Sequence, residues 1–149
     1  MEQKKRKRII LMGRSAAGKT TLCQCINHED LHYHKTQTVQ VVNQSIIDTP
    51  GEYVQGLYFR GCLMVSAVDA DIVVFVQAAD DDMTWFPPGY SSQFGKPAVG
   101  VVTKADLATE EQIKTAKKYL KMAGASEIFV TSSVSGEGVD EFLKFLGYV

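Results

Sequence analysis

The residues from Gly13 to Thr21 have the types and spacing of a loop that binds phosphate. Their sequence, GRSAAGKTT, directly follows the apolar run IILM and fits the pattern G-x-x-x-x-G-K-[ST]. Glycine allows the φ values that turn successive N–H groups inward, and the start of a helix adds partial positive charge. In this pattern Lys19 reaches the β- and γ-phosphates of a nucleotide, and the Thr20 hydroxyl is a ligand of Mg²⁺.

A second group of chemically useful residues lies in IIDTPGEY, residues 46–53. Asp48 is expected at the C-terminal end of a strand beside the phosphate-loop strand, where a carboxylate can hold a water ligand of Mg²⁺. Gly51 follows three residues later and can bring its N–H group close to a γ-phosphate. Lys19 and Gly51 are therefore the residues predicted to act on the phosphates during hydrolysis.

Two further strand ends carry residues suited to a purine base. In VVTKAD, residues 101–106, Asp106 can accept two hydrogen bonds from the N1–H and exocyclic amine of guanine, while the Lys104 stem covers the base. Adenine lacks this pair of donors, so a buried acceptor left without partners would disfavour it. In VTSSVSGEG, residues 130–138, the Ser133 N–H is placed to contact the guanine oxygen. The pattern therefore favours GTP over ATP.

The elements that must position these residues are apolar runs of strand length. Several are apolar at consecutive positions, which indicates burial on both faces and hence a parallel sheet covered by helices. The predicted strands are 8–12, 45–48, 71–76, 98–102 and 127–130, with an alternating edge strand at 37–42 beside 45–48. We therefore predict an α/β fold with a doubly wound, mainly parallel sheet of about six strands and helices on both faces.

Helices are predicted between the strands. The predicted ranges are 19–27, 55–68, 110–123 and 138–146. The third has the clearest boundaries, because Thr109 and Gln112 form a T-x-x-Q capping box and Gly124 suits the C-terminal stop. Between residues 76 and 98, Pro87, Pro88 and Gly89 allow at most a short helical turn. Trp85 to Pro88 there form either an exposed docking patch or a group that packs over the sheet.

Composition limits the classes of function. The chain has 149 residues, 45% of them hydrophobic, and a net charge of −1, which indicates no general attraction to nucleic acid or to anionic membranes. No apolar run approaches the length of a transmembrane helix, and the three cysteines fit free thiols in the cytosol. We predict a basic tail at residues 1–7 and a single domain at residues 8–149.

The four motifs together resemble a small GTPase of the P-loop superfamily over nearly the whole chain. The resemblance implies Mg²⁺ bound by Thr20 and Asp48, with GTP as the nucleotide. It places the nucleotide contacts at Gly13, Ser15, Ala16, Ala17, Gly18, Lys19, Thr20, Thr21, Lys104, Asp106, Ser132 and Ser133.

The combination of LHYHKTQTV, DTPGEY and FPPG is more specifically similar to the EutP/PduV family of bacterial ethanolamine and propanediol microcompartments. This resemblance implies Thr36 as the switch threonine and a third Mg²⁺ residue, with Thr38 as the competing choice. It also implies shell or enzyme proteins of the microcompartment as partners. The implied activity is weak GTP hydrolysis. The alternatives are phosphoryl transfer between ATP and acetate or propionate, and a scaffold without catalysis.

Glu52 is the main departure from signalling GTPases, many of which carry glutamine after the DTPG motif. A glutamate anion cannot donate a hydrogen bond to phosphate, so Glu52 is expected to point outward, with a role as base or metal ligand as the alternative. The ligand-rich stretch from Cys25 to His34 is expected to be solvated rather than a dedicated metal site.

Overall fold

The computed structural model describes residues 8–13, 18, 19, 22, 40–42, 46–48, 68, 70–84, 86–132 and 136–146. Within these residues six strands form one sheet in the order β2-β3-β1-β4-β5-β6. The strands are β1 (Ile9–Met12), β2 (Gln40–Val42), β3 (Ile46–Asp48), β4 (Ile72–Ala78), β5 (Ala98–Thr103) and β6 (Ile128–Val130). The predicted tail, residues 1–7, lies outside the described part.

Strand direction follows the prediction. β1 pairs in parallel with β3 and β4, and β5 pairs in parallel with β4 and β6. Only β2 among these strands is antiparallel, with Val41 opposite Ile47 of β3. Its place at the edge of the sheet beside β3 is the one that its alternating pattern predicted. The carboxyl ends of β1, β3, β4, β5 and β6 therefore meet at one edge of the sheet.

Each face of the sheet carries its own apolar core, because every residue of β1, β4 and β5 is buried. One face packs against helix α1 (Glu110–Ala123), which contributes Ala116, Leu120 and Ala123. The other packs against helix α2 (Val139–Leu146), which contributes Phe142, Leu143 and Leu146. The doubly wound α/β architecture is thus confirmed. Neither helix has the length and apolar character that crossing a membrane requires.

Helix α1 begins and ends where its local signals predicted. The Thr109 hydroxyl accepts from the Gln112 N–H at 3.2 Å, and Gln112 Oε1 accepts from the Thr109 N–H at 2.9 Å. Gly124 ends the helix with φ of 107°, a left-handed conformation that glycine adopts at little steric cost. The 19–27 helix is described only at Lys19 and Leu22, which are helical. Of the predicted 55–68 helix, only Val68 is described, in a turn.

The connection between β4 and β5 replaces a long helix with a cluster of aromatic rings. It contains one short 3₁₀ turn, Tyr90–Gln93, as the Pro-Pro-Gly sequence predicted. Phe75 of β4 lies 4.9 Å from the ring of Phe86 and 5.7 Å from that of Tyr90, and both of these residues are buried. Phe86 therefore packs over the sheet rather than forming an exposed docking patch. Trp85 lies outside the described residues.

Gly138 fixes the path from β6 into α2. Its φ is 77°, and a β-carbon at this position would lie 2.0 Å from the carbonyl oxygen of Val130. Gly136, two residues earlier, has a similar φ of 80° but no heavy atom within 4 Å of its β-carbon position. The two glycines therefore separate the effect of backbone conformation from the effect of a steric clash.

We expect Gly138→Ala to destabilise the protein more than Gly136→Ala does. The left-handed conformation costs alanine about 1–2 kcal/mol at either site, and the clash at Gly138 adds roughly 1–3 kcal/mol. Chemical denaturation of both variants measures the difference in free energy of unfolding. Equal losses at the two positions would contradict the close contact with Val130.

Candidate functional site

The phosphate-loop lysine lies beneath the carboxyl end of β1. Lys19 is 6% exposed, and its Nζ donates a hydrogen bond of 2.9 Å to the carbonyl oxygen of Gly13, the residue that follows β1. Gly18 has φ of 94°, and its carbonyl accepts from the Leu22 N–H at 2.8 Å, so a helical turn begins here. This strand, turn and helix start are the context that the motif requires.

Part of the predicted phosphate and magnesium set lies outside the described residues. These residues are Ser15, Ala16, Ala17, Thr20, Thr21, Thr36 and Gly51. Asp48 is the last residue of β3 and is in register with Leu11 of β1, so its backbone reaches the same edge of the sheet as the phosphate loop. The described residues contain no group of three or more His, Cys, Asp or Glu side chains that could hold a metal ion. The magnesium ligands stay a prediction.

The TKAD motif forms a sharply turned loop directly after β5. Lys104 has φ of 59° and is the one non-glycine residue with positive φ in the described part of the chain. A 3₁₀ turn, Ala105–Leu107, follows and places the exposed Asp106 at the edge of the sheet. The left-handed Lys104 backbone therefore reverses the chain so that Asp106 turns back toward β6.

Asp106 is held by the loop that follows β6. The Ser132 hydroxyl, which is 1% exposed, donates a 2.8 Å hydrogen bond to Asp106 Oδ1. No donor among the described residues contacts Asp106 Oδ2, which leaves that oxygen available to a ligand. The Ala105 N–H also donates to the Thr131 carbonyl at 3.2 Å. The two predicted base-binding loops therefore form one unit; Ser133 lies outside the described residues.

Two backbone hydrogen bonds join Ser132 to the residues that precede α2. Its N–H donates to the Glu137 carbonyl at 2.9 Å, and its carbonyl accepts from the Gly136 N–H at 2.7 Å. Burial of Ser132 inside this small loop fixes the direction of its hydroxyl toward Asp106. The serine therefore orients the carboxylate before any ligand is present.

Sequence reasoning missed one residue of this region, Thr103. It is 2% exposed and ends β5, and its side chain faces Gly18 of the phosphate loop. A β-carbon at Gly18 would lie 3.3 Å from Thr103 Oγ1. The sequence feature that could have indicated Thr103 is its hydroxyl group at the end of an apolar run, immediately before Lys104.

The family model described as "Ethanolamine utilisation - propanediol utilisation" matches residues 6–148. The chain belongs to this PduV-EutP family. It is 44% identical to "Propanediol utilization protein PduV" from Citrobacter freundii over 140 residues, which cover 94% of this chain and 93% of that protein. It is 28% identical to "Probable acetate kinase EutP" from Escherichia coli K12 over 141 residues, covering 94% of this chain and 89% of the relative.

Solved structures similar to this PduV-EutP family member support the fold. The chain matches elongation factor SelB from Methanococcus maripaludis, crystallised with a GTP analogue, with a TM-score of 0.72 and 20% identity over 97% of this chain and 34% of that one. It matches Era from Aquifex aeolicus, bound to GDP and aluminium fluoride, with a TM-score of 0.67 and 20% identity over 96% of this chain and 56% of that one. The P-loop GTPase-like fold predicted from the motifs is confirmed.

The hydrogen bond between Ser132 and Asp106 is expected to contribute to stability without any ligand. Ser132→Ala and Asp106→Ala should show a coupling free energy of about 1 kcal/mol, because each removes the same interaction. A double-mutant cycle measured by chemical denaturation gives this value.

The control pair combines Ser132→Ala with Glu127→Ala. Glu127 is exposed and precedes the opposite end of β6, so the two changes should be additive. A coupling between Ser132 and Asp106 no larger than that of the control pair would contradict the contact.

Proposed function

We propose that this protein binds guanine nucleotides, hydrolyses GTP weakly and acts in a bacterial microcompartment for propanediol or ethanolamine catabolism. The observation that carries the proposal is the hydrogen bond from buried Ser132 to Asp106, at the same edge of the sheet as Lys19. A preoriented carboxylate suits the base, and a buried ammonium group suits the phosphates.

The phosphate half of the proposal depends on Lys19 and Gly18. A lysine at 6% exposure is uncommon unless its charge is compensated, and its bond to the Gly13 carbonyl keeps the ammonium group inside the loop. The positive φ of Gly18 and the helical turn that begins there support this assignment, because the N–H groups at the start of a helix favour an anion. Phosphate oxygens are the chemical group that this arrangement accommodates.

The base half of the proposal depends on Asp106. Ser132 donates one hydrogen bond to Oδ1, and no other donor among the described residues contacts either carboxylate oxygen, so both oxygens can accept from a ligand. Guanine presents adjacent N1–H and amine donors to such a carboxylate, whereas adenine presents an acceptor at N1. With adenine, the lone pair at N1 would face the lone pairs of the Asp106 carboxylate with no hydrogen between them. This repulsion disfavours ATP.

Hydrolysis would follow from charge neutralisation rather than covalent catalysis. Mg²⁺, when bound through Thr20 and with contributions from Asp48 and Thr36, would supply positive charge beside the β- and γ-phosphates. Lys19 would stabilise charge on the bridging oxygen, and the Gly51 N–H would bind the γ-phosphate. Glu52 in place of glutamine supports slow turnover, since a carboxylate cannot donate a hydrogen bond to the phosphate.

Membership of the PduV-EutP family supports the biological setting. The family description names ethanolamine and propanediol utilisation, and the relative at 44% identity is named a propanediol utilization protein. We propose shell or enzyme proteins of the microcompartment as partners, with the propanediol branch favoured by the higher identity. A scaffold that uses nucleotide only for its structure would bind GTP without turnover.

A second activity is favoured by the relatives named "Probable acetate kinase EutP", which are 28% identical. It would transfer a phosphoryl group between ATP and acetate or propionate. The two activities separate in one assay: turnover of GTP and of ATP is measured with and without each carboxylate. GTP turnover without carboxylate supports the GTPase, and ATP turnover that requires a carboxylate supports the kinase.

We expect Lys19→Ala to weaken GDP binding by about 100-fold, since the charged hydrogen bond to the β-phosphate is lost. Isothermal titration calorimetry measures the affinity. Lys114→Ala, which removes an exposed lysine from α1, serves as the control and should bind GDP normally. Equal affinity of wild type and Lys19→Ala would overturn the phosphate-loop assignment.

Asp106→Asn should change the preferred base from guanine to xanthine. Loss of the charged contact should weaken GDP binding by about 2–3 kcal/mol, while the asparagine amide can donate to the carbonyl at C2 of xanthine. Competition of GDP and XDP against a fluorescent nucleotide measures the preference. Asp140→Asn, an exposed position on α2, is the matched control. Wild-type protein that binds ADP as tightly as GDP would refute the guanine preference.

A further inference from the structure

We propose that the unpaired edge of β6 binds an extended segment of a partner protein in which acidic and apolar side chains alternate. The segment would add a strand to the sheet beyond β6, with its acidic side chains toward α1 and its apolar side chains toward α2. The inference goes beyond the proposed function and does not depend on which nucleotide the protein binds.

β6 is the last strand of the sheet in the described part of the chain, and its one strand partner there is β5. The Glu127 carbonyl and the Thr131 N–H both bond to β5, at 2.8 Å and 2.7 Å. Successive residues of a strand direct their backbone groups to opposite sides, so the N–H and C=O groups of Ile128 and Val130 point away from β5. An added strand would bond to this outer side.

Three of these four outward groups have no partner among the residues that the structure describes. They are the N–H and C=O groups of Ile128 and the N–H group of Val130. The Val130 carbonyl oxygen is covered, because Gly138 lies directly against it. Ile128 therefore offers both a donor and an acceptor to an added strand, and Gly138 closes the carboxyl end of the edge. An unpaired strand edge is a template for a further strand.

Exposed lysines of α1 border this edge on one face of the sheet. The Tyr119 hydroxyl donates to the Asp82 carbonyl at 3.1 Å, so this flank of α1 faces the connection that follows β4. Lys117 and Lys121 lie two residues before and after Tyr119, about 200° around the helix from it, and therefore on the flank toward β6. Both are exposed, and neither forms an ion pair within the described residues. They favour acidic side chains in a partner.

Aromatic rings border the same edge on the face covered by α2. The ring of Phe129 on β6 lies 5.3 Å from the rings of Phe142 and Phe145, and Phe145 is 40% exposed. Successive side chains of a strand point to opposite faces of its sheet. An added strand would therefore present its side chains in turn to the lysines of α1 and to the exposed ring of Phe145, which is why its acidic and apolar residues alternate.

A second copy of this chain suits the edge less well than such a segment. Two copies paired antiparallel through β6 would be related by a twofold axis perpendicular to the sheet, which brings the two α1 helices together on one face. Lys117 and Lys121 would then face the same lysines of the other copy, and like charges across an interface repel. Acidic side chains at those positions are attracted instead.

The test titrates a synthetic peptide of alternating aspartate and valine, about six residues long with blocked ends, into isotope-labelled protein. Amide exchange with solvent is followed by NMR. Without peptide, the Ile128 and Val130 amides should exchange faster than those of Phe129 and Thr131, which bond to β5. Bound peptide should slow exchange at Ile128 and Val130. A peptide of alternating lysine and valine is the control and should not bind.

Two pairs of variants separate the charge from the backbone contact. Lys117→Glu should weaken binding of the aspartate peptide by about fivefold, whereas Lys118→Glu, at the neighbouring exposed lysine, should weaken it by at most about twofold. Ile128→Pro removes an N–H group that does not bond to β5 and should abolish binding, whereas Ile128→Val keeps that group and should bind normally. The lysine variants still decide the outcome if the proline variant does not fold.

Slower exchange at Ile128 and Val130, with a larger loss of affinity in Lys117→Glu than in Lys118→Glu, supports the proposal. It is overturned by absence of binding at about 1 mM peptide, by binding that leaves both amides in fast exchange, or by equal effects of the two lysine variants. Dimerisation of the protein alone that Ile128→Pro abolishes would assign the edge to a second copy and overturn the partner segment.

Discussion

Parallel pairing of β1, β4, β5 and β6 is the constraint on which the rest of the structure depends. Parallel strands point the same way, so the residues that follow each of them arrive at a common edge. Gly13, Thr103 and Ser132 come from three separate parts of the chain and lie at that edge. Reversal of any one of these strands would carry its loop to the opposite side of the sheet, about a strand length away.

Parallel pairing requires that both faces of the sheet be covered, and in this protein different elements cover the two faces. α2 covers one face beside Leu22, while the other is shared by α1 and the aromatic cluster around Phe75. Gly100 of β5 lets α1 approach closely, because a β-carbon there would lie 2.8 Å from Leu120 Cδ1. The aromatic rings fill the remaining space and leave the β4–β5 connection almost without helix.

Local sequence signals were sufficient for most of the fold. The bounds of α1 follow from Thr109, Gln112 and Gly124, which act within a few residues of the helix ends. Five of the six strands follow from apolar runs, and the complete burial of β1, β4 and β5 agrees with a sheet covered on both sides. The edge position of β2 beside β3 follows from its alternation, whereas its antiparallel direction was not predicted.

Contacts between residues far apart in the sequence are the part of the site that could not be predicted. The sequence predicted Asp106 and Ser132 as contacts of the same nucleotide, yet their mutual hydrogen bond joins residues 26 positions apart and depends on the register of β5 and β6. Thr103 was missed because its side chain comes close to Gly18 only in the folded sheet. Whether Phe86 faced solvent or the sheet depended likewise on Phe75.

The position of β1 between β3 and β4 governs the order in which this chain can assemble. β1 leaves the ribosome before the other five strands, but both strands that hold it are synthesised later, whereas β5 and β6 each pair with the strand made just before. The C-terminal half can therefore build up stepwise, with β1 waiting for its two neighbours. Ser132 and the Glu137 carbonyl that holds it are among the last described residues to emerge. The phosphate-loop motif, which directly follows β1, thus acquires its complete surroundings only after β6 and the loop that follows it have been made.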